Sequence, residues 1–214
     1  MRKLKVKVCG MKVPPNIEEV ASLAPDYMGF IFVKDSKRFV GKDFDPVHLN
    51  LLHPPTKAIG VFVDEFLPRV VDKIDFYHFD AVQLHGSETA EYCKKLRAAS
   101  PDLEIIKAFS VGEDFSFNVL KDYEPHVTYF LFDAKGDDKG GNGIQFNWAL
   151  LDGYKLGTPY YISGGIGPDS IKPLQALIEK SPHLEGIDIN SKFEVEPGMK
   201  SATAISKFLK EIGA

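Results

Sequence analysis

Two reactive side chains stand at the ends of short apolar runs. Cys9 closes VKVC and is followed by Gly10; Asp133 follows YFLF and opens AKGDDKGGNG. A thiolate can act as a base or nucleophile. A carboxylate placed directly after a buried run costs desolvation unless it is used or paired. Each residue also has a plainer reading. Cys9 could be a core thiol, since cysteine is among the most buried residues. Asp133 could be a helix cap or a structural hydrogen-bond acceptor. Arg38, in KDSKRFV, could grip a carboxylate with its two-pronged guanidinium, or be an exposed loop charge. His85, in VQLHG, could be a polar wall or a satisfied structural histidine. Asp188, inside IDI, belongs to an interior or a supporting shell.

Two further stretches have the composition of anion cradles. ISGGIGPDS carries Ser163, Gly164 and Gly165, and IDINSKFEVEPG carries Asn190, Ser191 and Lys192. Glycine lets backbone N–H groups approach an anion closely, and a helix N-terminus adds favourable charge. Gly-Gly is a common turn, so neither stretch decides alone. The segment after Asp133 holds four glycines before Trp148, as mobile lids often do.

The elements that must position these residues repeat. Strand-like runs are expected at Lys5–Cys9, Met28–Val33, Ala58–Val63, Ala81–Leu84, Glu104–Phe109, Tyr129–Phe132, Tyr160–Ser163 and Gly186–Ile189. Runs such as MGFIFV are apolar at successive positions, as parallel strands buried on both faces are. Helices are expected between them. Asn16–Leu23 would be capped by Asn16, and Ser87–Leu96 by Ser87. Asp45–Leu52 is the weakest segment; Asp169–Glu179 and Ser201–Ile212 show helical spacing.

Strand–helix alternation repeated eight times fits a closed (β/α)8 barrel or an open doubly wound sheet. The regular units, and only Gly10 in place of a glycine fingerprint after the first strand, favour an α/β class TIM barrel spanning residues 1–214 as one domain. In such a barrel, functional residues gather at the C-terminal strand ends, and phosphate is frequently held after strands seven and eight.

Composition bounds the partners. The chain has 214 residues, a formal net charge of -4 and two cysteines. The acidic balance argues against nucleic acid, the cysteine count against a disulfide scaffold. No run suits a membrane span or a signal peptide. The expectation is a cytoplasmic protein.

Together the motifs resemble the phosphoribosylanthranilate isomerase family of tryptophan biosynthesis. The resemblance runs from KVCGM through GFIFVKDSKRFV, GVFV, VQLHG, IKAF, FLFDAKG, GGNG, FNW and SGGIGP to GIDINSKFEVEPGMKS. It implies an Amadori rearrangement of N-(5-phosphoribosyl)anthranilate to 1-(2-carboxyphenylamino)-1-deoxyribulose 5-phosphate, with no cofactor or metal. Cys9 then matches the general base and Asp133 the general acid. Arg38 matches the carboxylate ligand, with His85 beside the substrate. Gly141, Gly143, Gly164, Gly165, Asn190 and Ser191 match the phosphate region. Such an acid needs a raised pKa and such a base some thiolate. The family contains monomers and homodimers.

Three departures fall at GGNG, at Asn147 where the family has aspartate, and at Lys192 where it has glycine. The rivals are an inactive phosphate-binding barrel and another sugar-phosphate aminoaldose isomerase. The histidine-pathway isomerase carries a carboxylate where this chain has Cys9.

Overall fold

A computed structural model describes residues 3–134 and 147–213. Eight parallel strands close into one barrel in chain order. They are β1 Lys5–Cys9, β2 Tyr27–Ile31, β3 Lys57–Phe62, β4 Ala81–Leu84, β5 Glu104–Val111, β6 Tyr129–Ala134, β7 Tyr160–Ile162 and β8 Leu184–Ile189. All eight expected strands are present, and the open sheet is excluded. β6 runs past its expected end, so Asp133 lies within the strand rather than after it.

The crossovers depart from the expected pattern. Five are closed by α-helices: α1 Pro14–Ala21, α2 Leu67–Tyr77, α3 Ala90–Ala99, α4 Ile171–Lys180 and α5 Ala202–Ile212. After β2, β5 and β6 the described residues form 3-10 turns instead, at Pro46–Leu51, Phe117–Asp122 with Glu124–His126, and Trp148–Gly153. The first is capped by Asp45, which accepts from the Val47 N–H, and it stops before His53-Pro54-Pro55. Proline cannot supply the N–H that a longer helix would need. A hairpin of β9 Glu194–Glu196 and β10 Met199–Lys200 precedes α5 and was not anticipated.

Two expected caps are corrected. α1 starts at Pro14, where the missing proline N–H costs nothing. Asn16 therefore sits inside the first turn, and its side chain bonds the Lys200 backbone N–H (2.7 Å) and carbonyl (2.8 Å). α3 is capped by Thr89, which accepts from the Tyr92 N–H, while Ser87 donates to Asp64. Ser201 caps α5, accepting from the Ala204 N–H.

Both faces of the strands are buried, which explains the unbroken apolar runs. Outward residues such as Val6, Val8, Met28 and Phe30 pack beneath the crossovers. Inward residues include Ile59, Val61, Ala81, Ile106, Ala108 and Leu131. Tyr27, Tyr129 and Tyr161 meet edge to face near the N-terminal end, with centroids 6.1 and 5.3 Å apart. That plug leaves the C-terminal mouth as the open end.

Gly186 makes this packing possible. A Cβ there would run into the Lys5 carbonyl oxygen and the Tyr161 ring. Gly186→Ala is expected to cost about 3 kcal/mol through overpacking, read as a lower denaturation midpoint in urea with little change in slope.

Candidate active site

Alternation along β1 turns Lys5, Lys7 and Cys9 inward. Cys9 is 4% exposed and its thiol is free. Gly29 faces it across the β1–β2 ladder. A Cβ at Gly29 would stand 2.9 Å from the Cys9 Sγ, so this glycine provides the thiol's space.

Charge surrounds the thiol. Lys7, wholly buried, places Nζ 2.6 Å from Asp188 Oδ2 and within hydrogen-bonding reach of Cys9. Burial opposes the Lys7 charge, but Asp188 and Cys9 outweigh it and raise the lysine's pKa. Burial also raises Asp188 against the pull of Lys7. The 2.6 Å contact is that of an ammonium held by a carboxylate. For Cys9, burial wins over Lys7 and Lys200 and pushes the pKa up. That direction favours the neutral thiol over the thiolate. Desolvation of an isolated anion exceeds what the two ammonium groups return.

Asp133 faces the same interior from β6. Its Oδ2 lies 3.2 Å from His85 Nε2, and its Oδ1 accepts from the Ala134 N–H at 3.0 Å. The Ser163 hydroxyl is close enough to favour the charged carboxylate without the geometry of a full hydrogen bond. Burial pushes Asp133 up, but His85 and these neighbours outweigh it, and the pKa falls below 3.8. The raised pKa expected of an acid is absent from this unliganded arrangement, because a donor already serves the carboxylate. Gly164, at φ +86°, touches Asp133; a Cβ there would lie 2.8 Å from Oδ1. His85 thus contacts the candidate acid instead of serving only the framework.

Arg38 is neither exposed nor free. Its Nε and Nη2 donate to Glu194 at 2.8 and 2.6 Å. Glu194 also accepts from Lys200 Nζ at 2.6 Å and from the Gly198 N–H at 3.0 Å. Lys200 Nζ reaches Asn190 Oδ1 at 2.5 Å. Gly10, at φ +79°, lies under the Arg38 stem, where a Cβ would be 2.7 Å from Cδ. Two prongs of Arg38 are fixed by Glu194, and Nη1 makes neither of these contacts.

The loops after β7 and β8 meet. A Cβ at Gly167 would lie 3.1 Å from the Lys192 Cβ. Gly164 and Gly165 both adopt left-handed φ values, as a backbone cradle requires. Ser191 opens a 3-10 turn, Ser191–Phe193, and Lys192 points outward and is exposed. Asn147 keeps the cap an aspartate would make: its Oδ1 accepts from the Ala149 N–H at 3.0 Å. Gly141 and Gly143 lie outside the described residues, as does the change in GGNG.

Sequence reading missed Lys7, Gln83, Glu194 and Lys200. KVKVC carried the signal for Lys7, because alternation puts it on the face of Cys9. Nothing local marked Glu194, whose partner Arg38 is 156 positions away.

The chain is similar to several known proteins. A family model described as N-(5'phosphoribosyl)anthranilate (PRA) isomerase matches residues 6–211. An N-(5'-phosphoribosyl)anthranilate isomerase from Parabacteroides distasonis is 40% identical over 210 residues, covering 97% of this chain and 92% of its own. A phosphoribosyl anthranilate isomerase structure from Thermus thermophilus superposes with a TM-score of 0.82 at 24% identity, covering 98% of each chain. A phosphoribosyl anthranilate isomerase solved with reduced 1-(o-carboxyphenylamino)-1-deoxyribulose 5-phosphate gives 0.77 at 25%, also covering 98% of each.

The Glu194 cluster has a pH signature. Burial pushes Glu194 up, but Arg38, Lys200 and Gly198 pull its pKa below 4.5. Its stabilisation is present above 4.5 and lost as pH falls through the lowered value. Glu194→Ala is expected to cost about 3 kcal/mol at pH 7, since it leaves buried cations unpaired. In urea titrations, the gap from the parent chain should narrow as pH is lowered below 4.5.

Proposed function

We propose, for a chain that belongs to the N-(5'-phosphoribosyl)anthranilate isomerase family, that Cys9 and Asp133 perform the family's reaction as base and acid. The enzyme is an aldose–ketose isomerase of tryptophan biosynthesis. It converts N-(5'-phosphoribosyl)anthranilate to 1-(2-carboxyphenylamino)-1-deoxyribulose 5-phosphate. The observation that carries the residue assignment is that both reactive groups face one barrel interior, each with a glycine on the neighbouring wall.

Asp133 gives a proton to the ribose ring oxygen. The C1′–O bond breaks as the anilino nitrogen forms a cationic Schiff base. Cys9 then removes the C2′ proton, and the electron pair neutralises the iminium to give an enolamine. Tautomerisation yields the ketone.

Substrate charge reverses both resting pKa directions. The phosphate and the anthranilate carboxylate bring negative charge and displace water, which favours protonated Asp133. The iminium brings positive charge next to Cys9, which favours its thiolate. Arg38, held by Glu194, offers Nη1 to the anthranilate carboxylate. Backbone around Gly164, Gly165, Asn190 and Ser191 receives the phosphate. Gripping the far end converts binding energy into orientation of C1′ and C2′.

The enzyme acts in the cytoplasm, a reading supported by two free thiols. It works as a monomer or homodimer, a reading taken from the family to which it belongs. No described helix is long and apolar enough to cross a membrane.

Loss of anthranilate fluorescence on adding freshly made substrate tests the activity. Cys9→Ala and Asp133→Asn should each lower kcat about 10³-fold with unchanged circular dichroism. Near-parental turnover in either variant rejects its role. Arg38→Ala should raise KM about tenfold or more, the cost of a charged hydrogen bond, with a smaller effect on kcat.

A further inference from the structure

His85 has two ring nitrogens, and both are engaged. Nε2 faces Asp133 Oδ2 at 3.2 Å, and Nδ1 lies 2.7 Å from Gln83 Nε2. With the amide nitrogen turned to it, Nδ1 accepts, and the tautomer that fits this orientation carries its proton on Nε2, toward Asp133. Gln83 is 1% exposed, and its Oε1 has no hydrogen-bond partner among the described residues. A buried carbonyl oxygen left unpaired costs free energy. One ring state would use it. A half-turn of the amide presents Oε1 to Nδ1, which suits an imidazolium carrying protons on both nitrogens. The turn exchanges one unpaired atom for another, so the amide serves both states at similar cost.

Resting on the assignment of Asp133 as the acid, we infer that Gln83 is a positioning residue whose amide turns with the protonation state of His85, so that the imidazolium loads Asp133. The proton count closes. Imidazolium passes its Nε2 proton to Asp133 Oδ2, leaving a neutral ring with its proton on Nδ1 facing Gln83 Oε1. Asp133 passes that proton to the ring oxygen as C1′–O breaks. Solvent water returns a proton to the pair and accepts the one held by Cys9.

The charges facing His85 fit this role. Asp133 from β6 and Asp188 from β8 are the carboxylates whose charge it senses, and Lys7 from β1 neutralises the second. Behind the ring, Glu88 accepts the Gly86 N–H at 2.9 Å and Lys107 donates to the Gly86 carbonyl at 2.8 Å. That pair fixes the backbone after His85, leaving the amide and the carboxylates to respond.

The test compares kcat against pH for the parent, Gln83→Met and Gln83→Glu, with nitrogen NMR of labelled histidine in each. The descending alkaline limb reports the acid. Gln83→Met removes the acceptor for Nδ1–H, so the limb should move down by about one pH unit, a tenfold loss above it. Gln83→Glu demands a proton on Nδ1 and should move the limb up. In the parent, Nδ1 should be unprotonated above the limb. Uniform loss of kcat with an unmoved limb in the folded variants, or a parent ring still protonated on Nδ1 above the limb, overturns the inference. Asp133→Asn separates the premises: full turnover there rejects Asp133 as the acid, whereas its loss beside an unmoved limb rejects only the amide.

Discussion

The seam where β8 meets β1 is the constraint on which the site depends. It closes the barrel in a register that sets Lys7 beside Asp188. Side chains alternate along a strand, so a slip of one residue would turn one of the pair outward and leave the other charge buried alone. Breaking a buried pair costs about 3–5 kcal/mol, so the pair penalises neighbouring registers. The correct register also sets the chemistry, because Cys9 and Asn190 lie two residues beyond the pair on the same faces. Asn190 meets Lys200, and Lys200 meets Glu194, which orients Arg38. A geometric requirement of closure thus propagates to the base and to the carboxylate grip.

Burial and neighbouring charges favour the less reactive forms of the two proposed reacting groups. Burial keeps Cys9 a thiol, and His85 helps keep Asp133 a carboxylate. A site built this way avoids holding an isolated thiolate and a neutral acid in the absence of work for them. In the proposed reaction, the substrate's anions and its iminium intermediate supply the field that reverses each preference. On that proposal, chemistry is coupled to occupancy by electrostatics.

The strands were legible because burial on both faces imposes unbroken apolar runs, and a ladder tolerates small errors at its ends. The crossovers were less so. Pro46 and Asp45 read equally well as the start of an α-helix or of a 3-10 turn, and only His53-Pro54-Pro55 hinted at the shorter element. Asn16 and Ser87 are good caps by type, yet tertiary partners at Lys200 and Asp64 claim their side chains. Cys9, Asp133 and Arg38 were visible from position and motif. Glu194 was not, because its partner Arg38 lies 156 positions away, whereas the alternation in KVKVC did mark Lys7. The substitutions at Asn147 and Lys192 now have local accounts. One needs only an oxygen at a cap, and the other projects outward beside Gly167.

Glycine is placed where chemistry needs close walls. Gly29 admits the Cys9 sulfur, and Gly164 admits the Asp133 carboxyl. A methyl group at either position would press on the reacting atom itself. Neighbouring wall positions carry side chains such as Ile31, Val61 and Leu131, which exclude water but cannot yield space. The reacting groups are thus confined by backbone on one side and by rigid apolar surface on others. Confinement of this kind lowers the reorganisation needed for proton transfer. It also makes the site intolerant of bulk at Gly29 and Gly164, so its limits are set as much by its empty positions as by its charged ones.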